Sequence, residues 1–192
     1  MDFFSSDKIV EPQKGDLLIS EPYLPDPNFD RTVVFLCEHD ENGTFGFVLN
    51  KAANIALSEL VDEVGDYPGK VFMGGPVEKD TLHFIHREPK LIESSREVVK
   101  GVYWGGDFNK LTEMTNTRAI QTEDVRFFIG YSGWASGQLM DEMRAKSWIV
   151  LKNTTPEMIF DWDNQDLWKA CLQTMGGKFR LISNYPKDPR LN

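Results

Sequence analysis

The chain has 192 residues, of which 41% are hydrophobic and 12% aromatic, which is enough apolar material for one domain with a sizeable core. Its 21 basic residues are scattered among 30 acidic ones, and the resulting net charge of −9 disfavours direct binding to nucleic acid. No segment reaches the ~20 apolar residues that cross a bilayer and no secretory pattern opens the chain, so we expect a cytoplasmic protein without membrane contact.

The first half of the chain predicts strands separated by turns. A strand at 15–20 is followed by a proline-rich loop, and strands at 32–39 and 43–51 flank the Asn42-Gly43 pair, a strong hairpin pattern. Leu57, Leu60, Val61 and Val64 recur at helical spacing, which predicts a short amphipathic helix.

The second half predicts strands that alternate with helices. Further strands are predicted at 70–77, 81–87, 97–105, 125–131 and 148–152. The strand at 125–131 is the most continuously apolar and is expected at the centre of the sheet. Helices are predicted at 108–118 with Asp107 as cap, from Gly137 to Ala145, from Pro156, and at 165–175 before Gly176 and Gly177.

This order of elements predicts a mixed sheet with helices packed on it rather than a regular doubly wound sheet. No repeat or long linker divides the chain. We therefore expect one domain over residues 1–192, with loose ends near 1–14 and 184–192.

The segment GYSGWASGQL at 130–139 is the main candidate for chemistry, because small residues and two serines are expected at a strand-to-helix turn. Neither Ser132 nor Ser136 has glycine two residues away on both sides, as a nucleophile elbow requires, and all three histidines precede them. A hydrolase assembled in another residue order stays an alternative. A tight structural corner and a helix N-terminus that binds an anion are the other two interpretations.

Metal and phosphate motifs are weaker. Cys37 and His39 are two apart on one predicted strand and should share a face, whereas His83 and His86 should face opposite sides. MGGPV lacks the lysine of a phosphate loop, and the acidic stretch EHDEN lacks calcium-loop spacing and is best explained as a solvated turn. Two cysteines are too few for a disulfide framework. We expect no metal and no cofactor.

Four segments together resemble the AlgH/YqgE family of bacterial proteins. They are DPNFDRTVVFLCEHDENGTFGFVLNK (26–51), FMGGPV (72–77), VYWGGDF (102–108) and FIGYSGWASGQLMDEM (128–143). Ser132 stands where that family commonly has alanine, which weakens its interpretation as a nucleophile. The resemblance implies an α+β fold with a mixed, largely antiparallel sheet folded into a barrel-like core with flanking helices, and the family name carries a proposal of transcriptional regulation.

The sequence hypothesis is a non-enzymatic protein that binds a small molecule or a protein partner and has a regulatory role. Its rivals are a hydrolase-type enzyme with a site near the Gly130–Gln138 turn and a regulator that contacts nucleic acid directly. Strand ends and tight turns are common places for pockets. The expected groove comprises Asn50, Lys51, Gly74, Gly75, Pro76, Gly130, Ser132, Gly133, Trp134 and Gln138.

Overall fold

The computed structural model describes residues 9–163 and 165–187, so the outermost parts of the predicted loose ends, 1–8 and 188–192, lie outside the described residues. Within the described ranges the strands are β1 Leu17–Ser20, β2 Val33–Asp40, β3 Gly43–Val48, β4 Val71–Met73, β5 Val77–His86, β6 Arg96–Val99, β7 Val102–Trp104, β8 Val125–Ala135 and β9 Trp148–Leu151. The helices are α1 Phe108–Asn116, α2 Gln138–Arg144, α3 Pro156–Phe160, α4 Leu167–Met175 and α5 Gly177–Ile182, with 3-10 turns at Leu57–Glu59 and Thr122–Asp124.

The strands form one curled sheet. Its hydrogen-bonded order is β6-β7-β5-β8-β3-β2-β1-β9, and β4 pairs in parallel with β8 while the remaining pairs are antiparallel. At the β6 edge, Lys14 Nζ donates to the Glu97 carbonyl at 2.8 Å, and Arg96 forms an ion pair with Glu38 of β2 at 3.0 Å. These contacts bring the β6 edge back towards β1 and β2. The predicted mixed, largely antiparallel, barrel-like α+β fold is confirmed.

Alternation along the strands produces separate apolar clusters on the two faces of the sheet. The interior cluster takes residues from all nine strands and from α3 and α4. A second cluster packs α1 and the 57–67 segment against β4, β5 and β8, and a third packs α2 and β9 against β1, β2, β3 and β8. Phe127 and Phe128 point into different clusters, which confirms the prediction that this strand is central and covered on both faces.

Two of the differences between predicted and observed strands concern turns. The strand predicted at 97–105 is a hairpin, β6 and β7, because the chain turns at Lys100-Gly101, where Gly101 has a φ of +84°. The β2–β3 hairpin is confirmed, but its turn lies one residue earlier than predicted: Asp40 pairs with Gly43, so Glu41 and Asn42 form the loop.

The observed helices differ from the predicted ones at two places and agree at α1. The periodic apolar residues from Leu57 to Val64 form only a 3-10 turn at Leu57–Glu59, because Leu57 and Val64 alone are buried there while Leu60 is exposed. The predicted final helix at 165–175 does end at Gly176, but a further helix, α5, begins directly after it. α1 is confirmed together with its cap, since the Lys110 backbone N–H donates to Asp107 Oδ1 at 3.0 Å.

Candidate functional site

The GYSGW segment belongs to a strand and not to a turn. β8 continues to Ala135 and pairs with β3 from Gly43 to Gly46, so the turn into α2 comes only at Ser136-Gly137. The prediction of a strand-to-helix turn was therefore placed too early. The apolar run ended at Tyr131 in the sequence, but the strand continues because β3 supplies partners for four more residues.

The Gly74-Gly75 turn packs directly on β8. Ser132 Oγ donates to the Gly74 carbonyl at 3.0 Å, and the Gly74 N–H donates to the Ile129 carbonyl at 2.8 Å. A Cβ at Gly74 would lie 2.3 Å from the Gly130 carbonyl, and one at Gly75 would lie 2.2 Å from the Tyr131 carbonyl. The predicted segments thus meet, but their small residues allow backbone contact and leave no space between them. Pro76, which follows, is half-buried.

Asn50 and Lys51 hold the proline-rich loop. The Asn50 side chain accepts from the Val33 N–H at 2.9 Å and donates to the Arg31 carbonyl at 2.8 Å. Lys51 Nζ donates to the carbonyls of Pro27 and Asn28. Burial lowers the pKa of Lys51, and the nearby Asp30 and Asp26 act in the opposite direction. The Lys51 carbonyl also accepts from the Met73 N–H, which links this pair to β4.

Trp134 and Gln138 converge on one carboxylate. The indole N–H groups of Trp134 and Trp148 both donate to Glu142 Oε2, at 2.9 and 2.7 Å, and the Gln138 side chain donates to Glu142 Oε1 at 3.2 Å. Gln138 Oε1 accepts from the Ala135 N–H, which ties the start of α2 to the end of β8. This network fixes α2 on the sheet.

The histidines and cysteines do not form a common site. A β-bulge between Leu36 and Glu38 turns Cys37 into the interior cluster, whereas His39 pairs with Thr44 on the other face, so the prediction that Cys37 and His39 share a face was wrong. His83 and His86 do face opposite sides of β5, since β5 is regular from Leu82 to His86. Within the described residues, no group of three or more His, Cys, Asp or Glu side chains could hold a metal ion.

A concave site lies beside the β2–β3 hairpin and overlaps the predicted groove only at its β8 residues. We call it the hairpin groove; it is a cavity of about 480 Å³. Its lining includes Glu38, Asp40, Gly43, Phe45, Tyr131 and Gly133. The predicted residues Gly133 and Trp134 also line it.

The strand register determines which residues lie together along the hairpin groove. Glu38 pairs with Phe45, and Phe45 pairs with Gly133, so these three residues form one row across β2, β3 and β8. Asp40, Gly43 and Ala135 form the next row on the same face. Gly43 and Gly133 have no side chains, and a Cβ would lie 2.5 Å from the Trp134 carbonyl at Gly43 and 3.1 Å from the Tyr131 ring at Gly133, so backbone and the Tyr131 ring form the surface there.

The wall of the hairpin groove is aromatic and its rim is acidic. The ring centroids of Phe45 and Tyr131 lie 4.8 Å apart, and the ring of Trp104, which does not line the groove, lies 4.7 Å from that of Phe45. Glu38 and Asp40 contribute two carboxylates. Sequence reasoning missed this site because it explained EHDEN as a solvated turn; only the pairing with β8 places these acids beside Gly133 and Tyr131.

Comparison with known proteins gives a consistent family assignment. A family model described as AlgH-like matches residues 17–180. A UPF0301 protein of Cytophaga hutchinsonii is 41% identical over 180 residues, covering 93% of this chain and 98% of the relative. A UPF0301 protein of Chlorobium limicola is 40% identical over 178 residues, covering 93% of this chain and 95% of the relative.

Solved structures agree with the fold. The solution structure of the AlgH protein from Pseudomonas aeruginosa is 25% identical with a TM-score of 0.71, covering 97% of this chain and 98% of that one. A crystal structure of a Corynebacterium diphtheriae protein has a TM-score of 0.75 at 21% identity, covering 92% of this chain and 94% of that one, and shows the fold alone. Across the described ranges, no helix is both long and apolar enough to cross a membrane.

Proposed function

The chain belongs to the AlgH-like family, and from that premise we propose that it is a single-domain, non-enzymatic binding protein whose hairpin groove receives a ligand or a partner. One observation carries the proposal: the strand register places the carboxylates of Glu38 and Asp40 in two adjacent rows on the same face as Phe45, in a cavity that Tyr131 also lines. Such a combination of apolar surface and few polar groups is typical of ligand sites. Of the expected groove residues, Gly133 and Trp134 line the hairpin groove. The other expected residues hold β8, its neighbouring loops and α2 in place.

A positively charged group fits this groove best. The carboxylates of Glu38 and Asp40 attract a cation, and the faces of Phe45 and Tyr131 offer it a favourable surface. Arg96, which does not line the groove, already makes this kind of contact nearby, because its guanidinium pairs with Glu38 and lies 5.7 Å from the centre of the Trp104 ring. The ligand class is therefore a guanidinium or ammonium group, carried by a small molecule or by the side chain of a protein partner.

The polar contacts of the serines and histidines support a non-enzymatic role. Ser132 Oγ is buried and donates to a backbone carbonyl, and Ser136 Oγ donates to the Glu41 carbonyl at 2.6 Å. His39 and His83 each contact a threonine hydroxyl. A hydrolase needs a histidine beside its nucleophile, so these contacts argue against the hydrolase alternative.

The proposed role extends to regulation through the bound partner or metabolite, in the cytoplasm. Acids at the groove rim and a net charge of −9 would repel the phosphates of nucleic acid, which argues against direct contact with DNA. Cys37 and Cys171 are both free and buried, as suits a reducing compartment.

A thermal-shift titration tests the groove. Arginine amide should raise the melting temperature saturably, because a ligand selective for the native state stabilises it by mass action. Citrulline amide, which is similar in shape but uncharged, should have a much smaller effect. Gly133→Leu fills the floor of the groove and Glu38→Gln removes one carboxylate; each should weaken binding about tenfold or more.

Ala119→Leu is the matched control, because Ala119 is exposed after α1 and does not line the cavity. Equal shifts with both amides, or unchanged binding in Gly133→Leu, would reject the groove as the site. A shift with short duplex DNA alone, weakening steeply with salt, would instead favour the nucleic-acid regulator.

A further inference from the structure

A second cavity is lined in part by Arg126 and differs from the hairpin groove in the charge of its lining residues. It has a volume of about 310 Å³, and the residues that matter for its chemistry are Lys70, Phe72, Thr122, Glu123, Arg126 and Phe160. We call it the Arg126 cavity. It lies between the loop before β4, the 3-10 turn at Thr122–Asp124 and the end of α3.

Arg126 is a buried cation in the most apolar strand of the protein. Only 5% of the residue is exposed. Its guanidinium donates to the carbonyls of Ile159 and Leu49 at 2.6 and 2.7 Å, and lies 4.1 Å from the centre of the Phe72 ring. The guanidinium is thus fixed in position by three separate segments of the chain before any ligand arrives.

Burial changes both the pKa of Arg126 and the energy with which its charge interacts with other ions. Removal from water lowers the pKa of Arg126 to about 9, with a smaller opposing contribution from Tyr67. A charge in such surroundings interacts more strongly with a neighbouring ion than a solvated charge does. An anion that enters the cavity is attracted by this charge.

The other two charged residues that line the cavity, Lys70 and Glu123, do not cancel the positive charge of Arg126. Lys70 adds a second positive charge at an exposed position, while Glu123 adds one negative charge that is also exposed and therefore screened. Glu123 accepts from the Thr122 hydroxyl at 2.9 Å. The titratable lining sums to +1 on a protein of net charge −9, whereas the two acids of the hairpin groove sum to −2.

We propose that the Arg126 cavity binds a small organic anion: a carboxylate whose charge approaches Arg126 and Lys70, with an apolar body that contacts Phe72 and Phe160. A cavity of this size admits a single ring or a short alkyl chain. This site is separate from the hairpin groove, so the protein has two binding sites of opposite charge preference.

Benzoate is the probe and benzamide its neutral counterpart. In ¹H–¹⁵N NMR spectra of the full chain, benzoate should shift the amide signals of Gly69, Val125 and Phe160 saturably, and benzamide should not. The expected affinity is in the millimolar range or tighter, as suits a fragment with one charged anchor.

Charge reversal at the exposed rim tests the assignment without disturbing the buried arginine. Lys70→Glu should weaken benzoate binding about tenfold, because it places a negative charge at the mouth of the cavity. Lys79→Glu, an exposed position on β5 that does not line the cavity, should leave binding unchanged. Arg126→Met should abolish binding where the variant folds.

Several outcomes would overturn the proposal. They are equal binding of benzoate and benzamide, equal effects of Lys70→Glu and Lys79→Glu, shifts confined to other regions, or no saturable shift up to about 10 mM benzoate. Gly133→Leu should leave benzoate binding intact, so failure of the hairpin groove and failure of this site are distinguishable.

Discussion

At the residue scale, His86 shows how a polar side chain can be fully buried in this fold. Its Nε2–H donates to the Gly105 carbonyl at 3.1 Å, and its Nδ1 accepts from the Glu88 N–H at 3.1 Å. Only the neutral imidazole can make both hydrogen bonds, because a protonated Nδ1 would be a donor facing the Glu88 N–H, which is also a donor. Burial lowers the pKa of His86, and the Gly105 hydrogen bond opposes that change.

This arrangement predicts a loss of stability in mild acid. The unfolded chain binds the proton more readily than the folded protein, so the free energy of unfolding should fall as the pH drops through about 6.5 towards the lowered pKa. Urea unfolding at pH 7.5 and 5.5 measures the change. His86→Gln should be less stable by about 1–3 kcal/mol at pH 7.5 and should show a smaller drop in acid. His39→Gln is the control, and an equal drop in wild type and His86→Gln would contradict the explanation.

At the element scale, α1 illustrates how local chemistry sets a helix boundary. Asp107 caps the first turn through Lys110 N–H, and Leu111, Met114 and Thr115 bury one face against the second apolar cluster. The pattern was readable in the sequence because both the cap and the helical spacing are local. The 57–64 segment has similar spacing, but Leu57 and Val64 are buried whereas Leu60 is exposed, so its apolar residues do not share one packed face.

Removal of the α1 cap should have a modest and specific cost. Asp107→Ala leaves the Lys110 N–H without its acceptor and should lower the free energy of unfolding by about 1 kcal/mol. Asp107→Asn retains an acceptor oxygen and should recover most of that loss. Urea denaturation of both variants measures the difference; equal stability of the two would mean that charge or another contact, not capping, is the main contribution.

At the scale of the whole molecule, α4 closes the interior cluster. Leu167, Trp168, Cys171 and Leu172 are buried among residues of the sheet, and the Trp168 indole N–H donates to the Ser20 carbonyl at 2.9 Å. The helix near the end of the chain therefore completes a core that begins with β1. Loss of its apolar contacts should destabilise the fold as a unit.

Two leucines in consecutive helices allow a matched comparison. Leu172 is fully buried on α4, whereas Leu181 on α5 is 70% exposed. Leu172→Ala should lower the free energy of unfolding by about 2–5 kcal/mol, and Leu181→Ala should change it by about 0.5 kcal/mol or less. Chemical denaturation followed by tryptophan fluorescence measures both. Similar losses in the two variants would show that α5 contributes more to the core than its exposure indicates.

The sequence by itself determined most elements, the α+β class and the family, because turn pairs, caps and apolar periodicity are local and the family motifs are contiguous. It also brought Gly74, Gly130 and Ser132 into one hypothesis, and these residues do meet. Only the tertiary structure decided where β8 ends, that a bulge separates Cys37 from His39, and that Glu38, Phe45 and Gly133 form one row. The physical reason is that strand register and pairing join residues far apart in the chain, and the cavities beside Gly133 and Arg126 are each lined by segments that only the tertiary fold brings together.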